Sequence, residues 1–468
     1  MPARPLVLMA LSIGAASAGA AEPAWRYAVT AGAGARELTV EVTLAPGDSD
    51  ELSVDDGAEP FVRDVAVSVS DGAWQPLAPR GSSWWAPSCR VRGCRLRYRF
   101  ELERAAARLQ SEAGERLGAV TQAPPSTWLL HPLHAPPGRD YRFDVTTPPG
   151  LRFVSGVRRL GPDSYGADVT TLKDSPYSAF GPLTVSSFTV GEAAVDVAFA
   201  PATRALSNAQ IVAALHRAGE VVRAYYRRFP VERLLVLVIP QPGQELHGRT
   251  LGGGGATLTL YVGDATSDAQ LRRSWVPTHE LVHLGFPTVR RDELWIAEGL
   301  ATYLEPIARA RAGDLSVEKV WRDLVDGLPQ GQPEPGDRGL DRTHTWGRTY
   351  WGGALYCVSA DVEIRRRTGN RRSLDDAMRA IVAAGGSLAA SWPLERALRL
   401  GDQAVGVPVL SELRKKMGAT SMAVDLDALW AGLGIRPGGD RLGFDDGAPL
   451  AAIRRAITAP DKPDPIGR

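Results

Sequence analysis

Val276-Pro277-Thr278-His279-Glu280-Leu281-Val282-His283-Leu284 is the stretch that decides how the chain is read. In a helix, residues four apart share a face, so His279 and His283 would present two imidazoles to one metal, with Glu280 beside it. Zinc takes nitrogen, sulfur or carboxylate donors in a tetrahedron, and a reactive site uses three protein ligands and leaves the fourth position to water. The stretch supplies two of the three. Pro277 cannot donate a hydrogen bond to the preceding turn, so it either begins or kinks this helix.

Working outward, Trp295-Ile296-Ala297-Glu298-Gly299-Leu300-Ala301-Thr302-Tyr303-Leu304-Glu305 is a second helical pattern. It opens with an acid on its inner face, and Glu298 is the natural third ligand for one zinc per chain. Together the two stretches resemble the gluzincins, zinc peptidases in which a glutamate on the helix after H-E-x-x-H completes the site, in a W-x-x-E-G-x-x-x-Y setting. Asp361-Val362-Glu363-Ile364-Arg365, Thr368-Gly369 and Ser373-Leu374-Asp375-Asp376-Ala377-Met378-Arg379 extend the likeness toward the glycyl aminopeptidase family of that clan. The resemblance runs from about residue 205 to about 385. It implies a thermolysin-like zincin catalytic domain that hydrolyses peptide bonds in a peptide or protein substrate, with Glu280 as general base. Tyr350-Trp351-Gly352-Gly353 resembles the family's Y-x-K-G, with Gly352 in place of the lysine; the resemblance makes Tyr350 an oxyanion donor. A packed core tyrosine is the competing reading, and His344 is a weaker candidate for the same duty.

The chain also departs from its relatives. Gluzincin aminopeptidases carry an acid in the glycine-containing segment, which holds the substrate amine, whereas Gly252 to Gly255 are followed here by Ala256, with Glu245 upstream. Aminopeptidase and endopeptidase action both stay open. The spacing from His283 to Glu298 is shorter than in the aminopeptidases. From another class, an inactive zincin-fold protein that binds peptide is the alternative; Glu280 argues against it, since a structural metal site has no need of a base. The resemblance places Thr257 to Val262 at the sheet edge that lines substrate, with the glycines ahead of it allowing a peptide or loop to come close.

Around this centre, Ser207-Asn208 begin a helical segment that runs to about Phe229, where Pro230 stops it, and Leu234 to Ile239 reads as a buried strand. Upstream, the apolar residues alternate: Leu38, Val40, Val42 and Leu44 on one face, then Val65, Val67 and Val69, then Leu96, Tyr98 and Phe100. This predicts an all-β domain. Ser373 with Asp376 has the spacing of a capping box. Segments such as Leu426 to Leu433 and Ala448 to Ile457 predict a helical carboxy-terminal region, with the residues from Ala459 disordered.

Met1 to about Ala21 has the features of a secretory signal: Arg4, an apolar run from Leu6 to Ile13, and small residues at Ala18-Gly19-Ala20. The expectation is an exported protein, periplasmic or extracellular, without membrane insertion once the signal is removed. With 54 basic and 53 acidic side chains the formal charge is +1, and loss of Arg4 brings it to zero. No charge block suggests nucleic acid or an anionic membrane as partner. Export allows a disulfide between Cys89 and Cys94, which flank a four-residue loop, while Cys357 reads as a buried free thiol. His131 and His134 have a metal-compatible spacing but no acid or cysteine beside them. The fold class is therefore α+β multidomain: signal 1–20, β domain 21–204, zincin catalytic domain 205–392 and helical region 393–468.

Overall fold

The computed structural model describes residues 22–438 and 441–460. The signal, and the stretch from 461 onward, lie outside the described residues. An amino-terminal all-β region is followed by mixed sheet and helices, then by a helical carboxy-terminal region.

The largest sheet has eight strands. Trp25–Ala31 pairs antiparallel with Leu38–Leu44 and parallel with Asp140–Thr146, and Cys94–Phe100 lies on the far side of Leu38–Leu44. Leu38, Val40, Val42 and Leu44 share a buried face with Leu96, Tyr98 and Phe100, as period-two alternation requires. In Val62–Ser68 the alternation breaks. The register against Cys94–Phe100 shifts between Arg63 and Ala66, with Asp64 at φ 53°, so Val65 is buried while Val67 is only half-buried. An extra residue in one strand re-aims the side chains after it.

Cys89 and Cys94 form a disulfide with Cα atoms 4.7 Å apart. Cys357 is a free thiol, which burial pushes well above its usual pKa. The closed loop is short, so replacing both linked cysteines by serine should cost about 2 kcal/mol. The check is a thermal melt together with thiol labelling: the unreduced, denatured parent should label once. His131 is buried, and its Nδ1 lies 2.7 Å from the Leu129 carbonyl oxygen, a core role and not a metal one.

The sheet that carries the site has five strands, in the order Thr184–Val190, Ala193–Phe199, Arg233–Gln241, Ala256–Gly263, Leu246–Gly252. Its first two strands precede residue 205, where the sequence reading divides the β domain from the catalytic one. Thr184–Val190 pairs antiparallel with Ala193–Phe199, which pairs parallel with Arg233–Gln241 because Val195, Val197 and Phe199 face the same core as Val236 and Val238. One correction concerns the edge. Ala256–Gly263 is an inner strand, hydrogen-bonded on both sides, and the antiparallel edge strand is Leu246–Gly252.

One face of this sheet packs on the helices Asn208–Tyr226, Val276–Val282, Leu294–Arg311 and Gly353–Arg367, in a continuous core that reaches Ile457. Its other face, through Leu235, Leu237 and Ile239, packs on Val120, Tyr177 and Ala179 of the amino-terminal region. Asn208–Tyr226 starts with a capping box, Ser207 with Gln210, and ends at Arg227 with φ 61°, three residues before Pro230. The family-like tail is structural. Asp361 pairs with Arg365 at 2.9 Å and accepts from the Tyr303 hydroxyl at 3.0 Å and the Leu374 N–H at 2.9 Å. Asp375 pairs with Arg311 at 2.9 Å and accepts from the Tyr225 hydroxyl at 2.8 Å, tying three helices together around buried charges that compensate one another.

Candidate metal centre

Pro277 lies in the first turn of the helix Val276–Val282 and so begins it instead of kinking it. The helix is short. His283 continues it as a tight turn, His283–Gly285, with φ −54° and ψ −28° at His283, so the i, i+4 relation to His279 survives. Gly285 is needed there, because a Cβ would sit 2.1 Å from Cζ of Tyr226. The third candidate ligand comes from Leu294–Arg311, which places Glu298 against the two imidazoles.

The candidate ligand atoms of His279, His283 and Glu298 all lie within 4.8 Å of one another, a grouping that no other histidine, cysteine or acid cluster makes among the described residues. Glu298 Oε2 is 3.5 Å from His279 Nε2 and 3.6 Å from His283 Nε2. Zinc bonds of roughly 2.0–2.2 Å in a tetrahedron put ligand atoms about 3.3–3.5 Å apart. Glu298 Oε2 is also buried with no hydrogen-bond partner. An orphaned carboxylate oxygen is costly to bury, and a cation between it and the two rings removes that cost. Burial alone would raise the Glu298 pKa, but His283 and His279 outweigh it and hold the carboxyl below its usual range.

Glu280, 7% exposed, points across the cleft to the edge strand. The Thr250 hydroxyl donates to its Oε2 at 2.6 Å, and Gly248 clears room for it, since a Cβ there would stand 2.2 Å from Glu280 Cγ. Burial raises the Glu280 pKa against the opposing pull of His283 and Thr250. Thr250 and Gly248 carry no motif in the sequence; their role follows from strand register alone. Position 248 and position 250 share one face of the edge strand, and that face meets the first site helix.

Tyr350 reaches the centre through a close helix crossing. A Cβ on Gly299 would fall 2.2 Å from the Gly353 carbonyl carbon, and one on Gly353 would fall 2.1 Å from the Trp295 oxygen. Two glycines thus let Leu294–Arg311 and Gly353–Arg367 touch backbone to backbone. The wide turn Arg348–Gly352 that precedes the second helix is thereby laid beside Glu298. Burial, then the Glu298 and Glu280 carboxylates, push the Tyr350 phenol up to about 12. Its ring lies 6.4 Å from that of His279. His344 is exposed on the preceding loop.

The glycine run is a packing device. Cβ atoms on Gly252, Gly253, Gly254 and Gly255 would meet Leu388, Asp174, Ala167 with Thr171, and Gly156, each at 2.0–2.6 Å, so this turn is wedged between other parts of the chain. Glu245 Oε2 lies 3.6 Å from His247 Nε2 at the start of the edge strand, opposite the end where the glycines lie.

No protein-family model matches the sequence, and no curated protein matches it significantly. Solved structures do match. An aminopeptidase N family protein from Idiomarina loihiensis is 14% identical, with a TM-score of 0.66 over 88% of this chain and 78% of that one. An M1 zinc metallopeptidase from Deinococcus radiodurans is 16% identical, with a TM-score of 0.54 over 86% of this chain and 95% of that one. The chain has the fold of the M1 zinc metallopeptidases. At these identities the likeness is one of fold. A variant of the Deinococcus enzyme, 15% identical to this chain over 86% of it and 94% of its own length at TM-score 0.54, is bound to a Tyr-Ser-Ala substrate. Within the M1-type fold, then, this chain sets two histidines and a glutamate at one point and faces them with a buried second glutamate.

Proposed function

We propose that the protein is a zinc-dependent peptidase. His279, His283 and Glu298 hold the metal; the single observation that carries this reading is the orphaned Glu298 Oε2 between two imidazole nitrogens. Zinc, when bound, supplies a Lewis acid and a coordinated water of near-neutral pKa. Glu280 acts as general base: it takes a proton from the attacking water and delivers it to the leaving amine. Thr250 holds the carboxylate by Oε2, which leaves Oε1 to receive that proton. Tyr350, protonated at any physiological pH, donates a hydrogen bond to the oxyanion. The substrate is a peptide or protein strand laid along Leu246–Gly252, whose outer edge makes no pairing in the sheet. With no acid in the edge strand's glycine end, cleavage does not depend on a free amino terminus. The Cys89–Cys94 disulfide fits export to an oxidising compartment, and no helix among the described residues is long and apolar enough to cross a membrane.

The test is metal content and turnover on the same preparation. Mature protein should hold about one zinc per chain and cleave both blocked and free-amine peptides, and His279→Ala should lose the metal and the activity together. Full zinc in His279→Ala would place the metal elsewhere. Cleavage of free-amine peptides alone would restore the aminopeptidase reading.

A further inference from the structure

The two most exposed tryptophans among the described residues stand at the metal centre. Trp275 is 52% exposed and Trp346 is 62% exposed. Trp275 precedes the first site helix, and its ring centroid lies 4.9 Å from that of His279, edge to face. Trp346 lies just before the turn Arg348–Gly352 and stacks on Tyr350 at 5.7 Å with 27° between the planes. Since Tyr350 in turn lies 6.4 Å from His279, the four rings make one chain of contacts across the centre, with an open indole at each end.

Neither indole is exposed for want of order in its backbone. The Trp275 carbonyl accepts the His279 N–H at 3.0 Å, as part of the helix. The segment of Trp346 is pinned by the pair Arg348–Asp337 at 2.8 Å and by Trp351, whose ring packs where a Cβ on Gly327 would be. Large apolar rings left in water by a rigid scaffold, and adjoining a reactive centre, mark a binding surface.

We infer that Trp275 and Trp346 form a subsite for large apolar or aromatic side chains next to the scissile bond, so that this protein selects peptides by such residues. The inference rests on the peptidase reading for its meaning but is measured apart from it. Indole faces contribute area and ring stacking, while a glycine or alanine in the substrate would leave them wet. A flanking phenylalanine or leucine should therefore bind at least about tenfold better than glycine, the range in which apolar pockets discriminate.

The experiment uses full-length, zinc-loaded Glu280→Gln protein and two blocked peptides, one with phenylalanine and leucine at its centre and one of glycine only. Calorimetric titration should give the first about tenfold or more tighter binding. Trp346→Ala and Trp275→Ala should each reduce that preference severalfold without changing zinc content, and Trp275→Phe should restore most of it. In the active parent background, the ratio of kcat/KM for the apolar peptide to that for the glycine peptide should fall severalfold in the same variants. Equal binding of both peptides by the zinc-loaded protein would overturn the subsite, as would variants that weaken both peptides alike. If the parent cleaves nothing yet binds the apolar peptide selectively through these rings, the subsite stands and the peptidase reading falls.

Discussion

Glu280→Gln should lower peptide turnover by about two to four orders of magnitude while the protein keeps its zinc. The amide has the size of the carboxylate, so the loss cannot come from a cavity, and Glu280 does not belong to the cluster of candidate ligands. What disappears, on the proposed mechanism, is the proton acceptor beside the scissile bond. The residue is held for that task by a neighbour that sequence reading passed over, since the Thr250 hydroxyl binds its Oε2 at 2.6 Å. Thr250→Val keeps the shape and removes the donor; it should lower kcat by about tenfold, the value of one hydrogen bond to a charged group, with KM nearly unchanged. Thr250→Ser should recover most of the rate. If Glu280→Gln turned over peptide as fast as the parent with its zinc in place, the general-base role would be wrong.

Tyr350→Phe should cost about a hundred- to a thousandfold in kcat, the range for one lost oxyanion donor, with little change in KM or zinc content. The phenol can serve because it stays protonated: burial and the two nearby carboxylates, Glu298 and Glu280, push its pKa up to about 12. The ring keeps its stacking on Trp346 when the hydroxyl is removed, so the variant separates chemistry from packing. A fall of less than about threefold, measured on the same peptides, would reduce Tyr350 to a packed tyrosine and leave the oxyanion without this donor.

The candidate metal ligands were legible because their information is local. Four residues on a helix make one turn, so His279 and His283 must share a face wherever that helix is placed, and an acid on the inner side of the next helix is the natural complement. The helix start at Ser207, the capping box at Ser373, the strand faces of Leu38–Leu44 and Cys94–Phe100, and the disulfide between Cys89 and Cys94 are short-range in the same sense. Val62–Ser68 shows the limit even at short range, because a single inserted residue shifted the register and broke the alternation.

What the sequence by itself determined is therefore local: the candidate donor set, the candidate base beside it, and the fold class that brings two such helices together. The tertiary structure alone decided the surroundings of these groups. It made Leu246–Gly252 the edge strand in place of Thr257 to Val262, because pairing order depends on which strand the core of helices covers. It turned Gly252 to Gly255 into a wedge among distant segments, brought Thr250 to Glu280 across 30 residues of chain, and left Trp275 and Trp346 facing outward. Contacts between remote segments are set by packing and register, and no repeat of 3.6 or 2 residues records them.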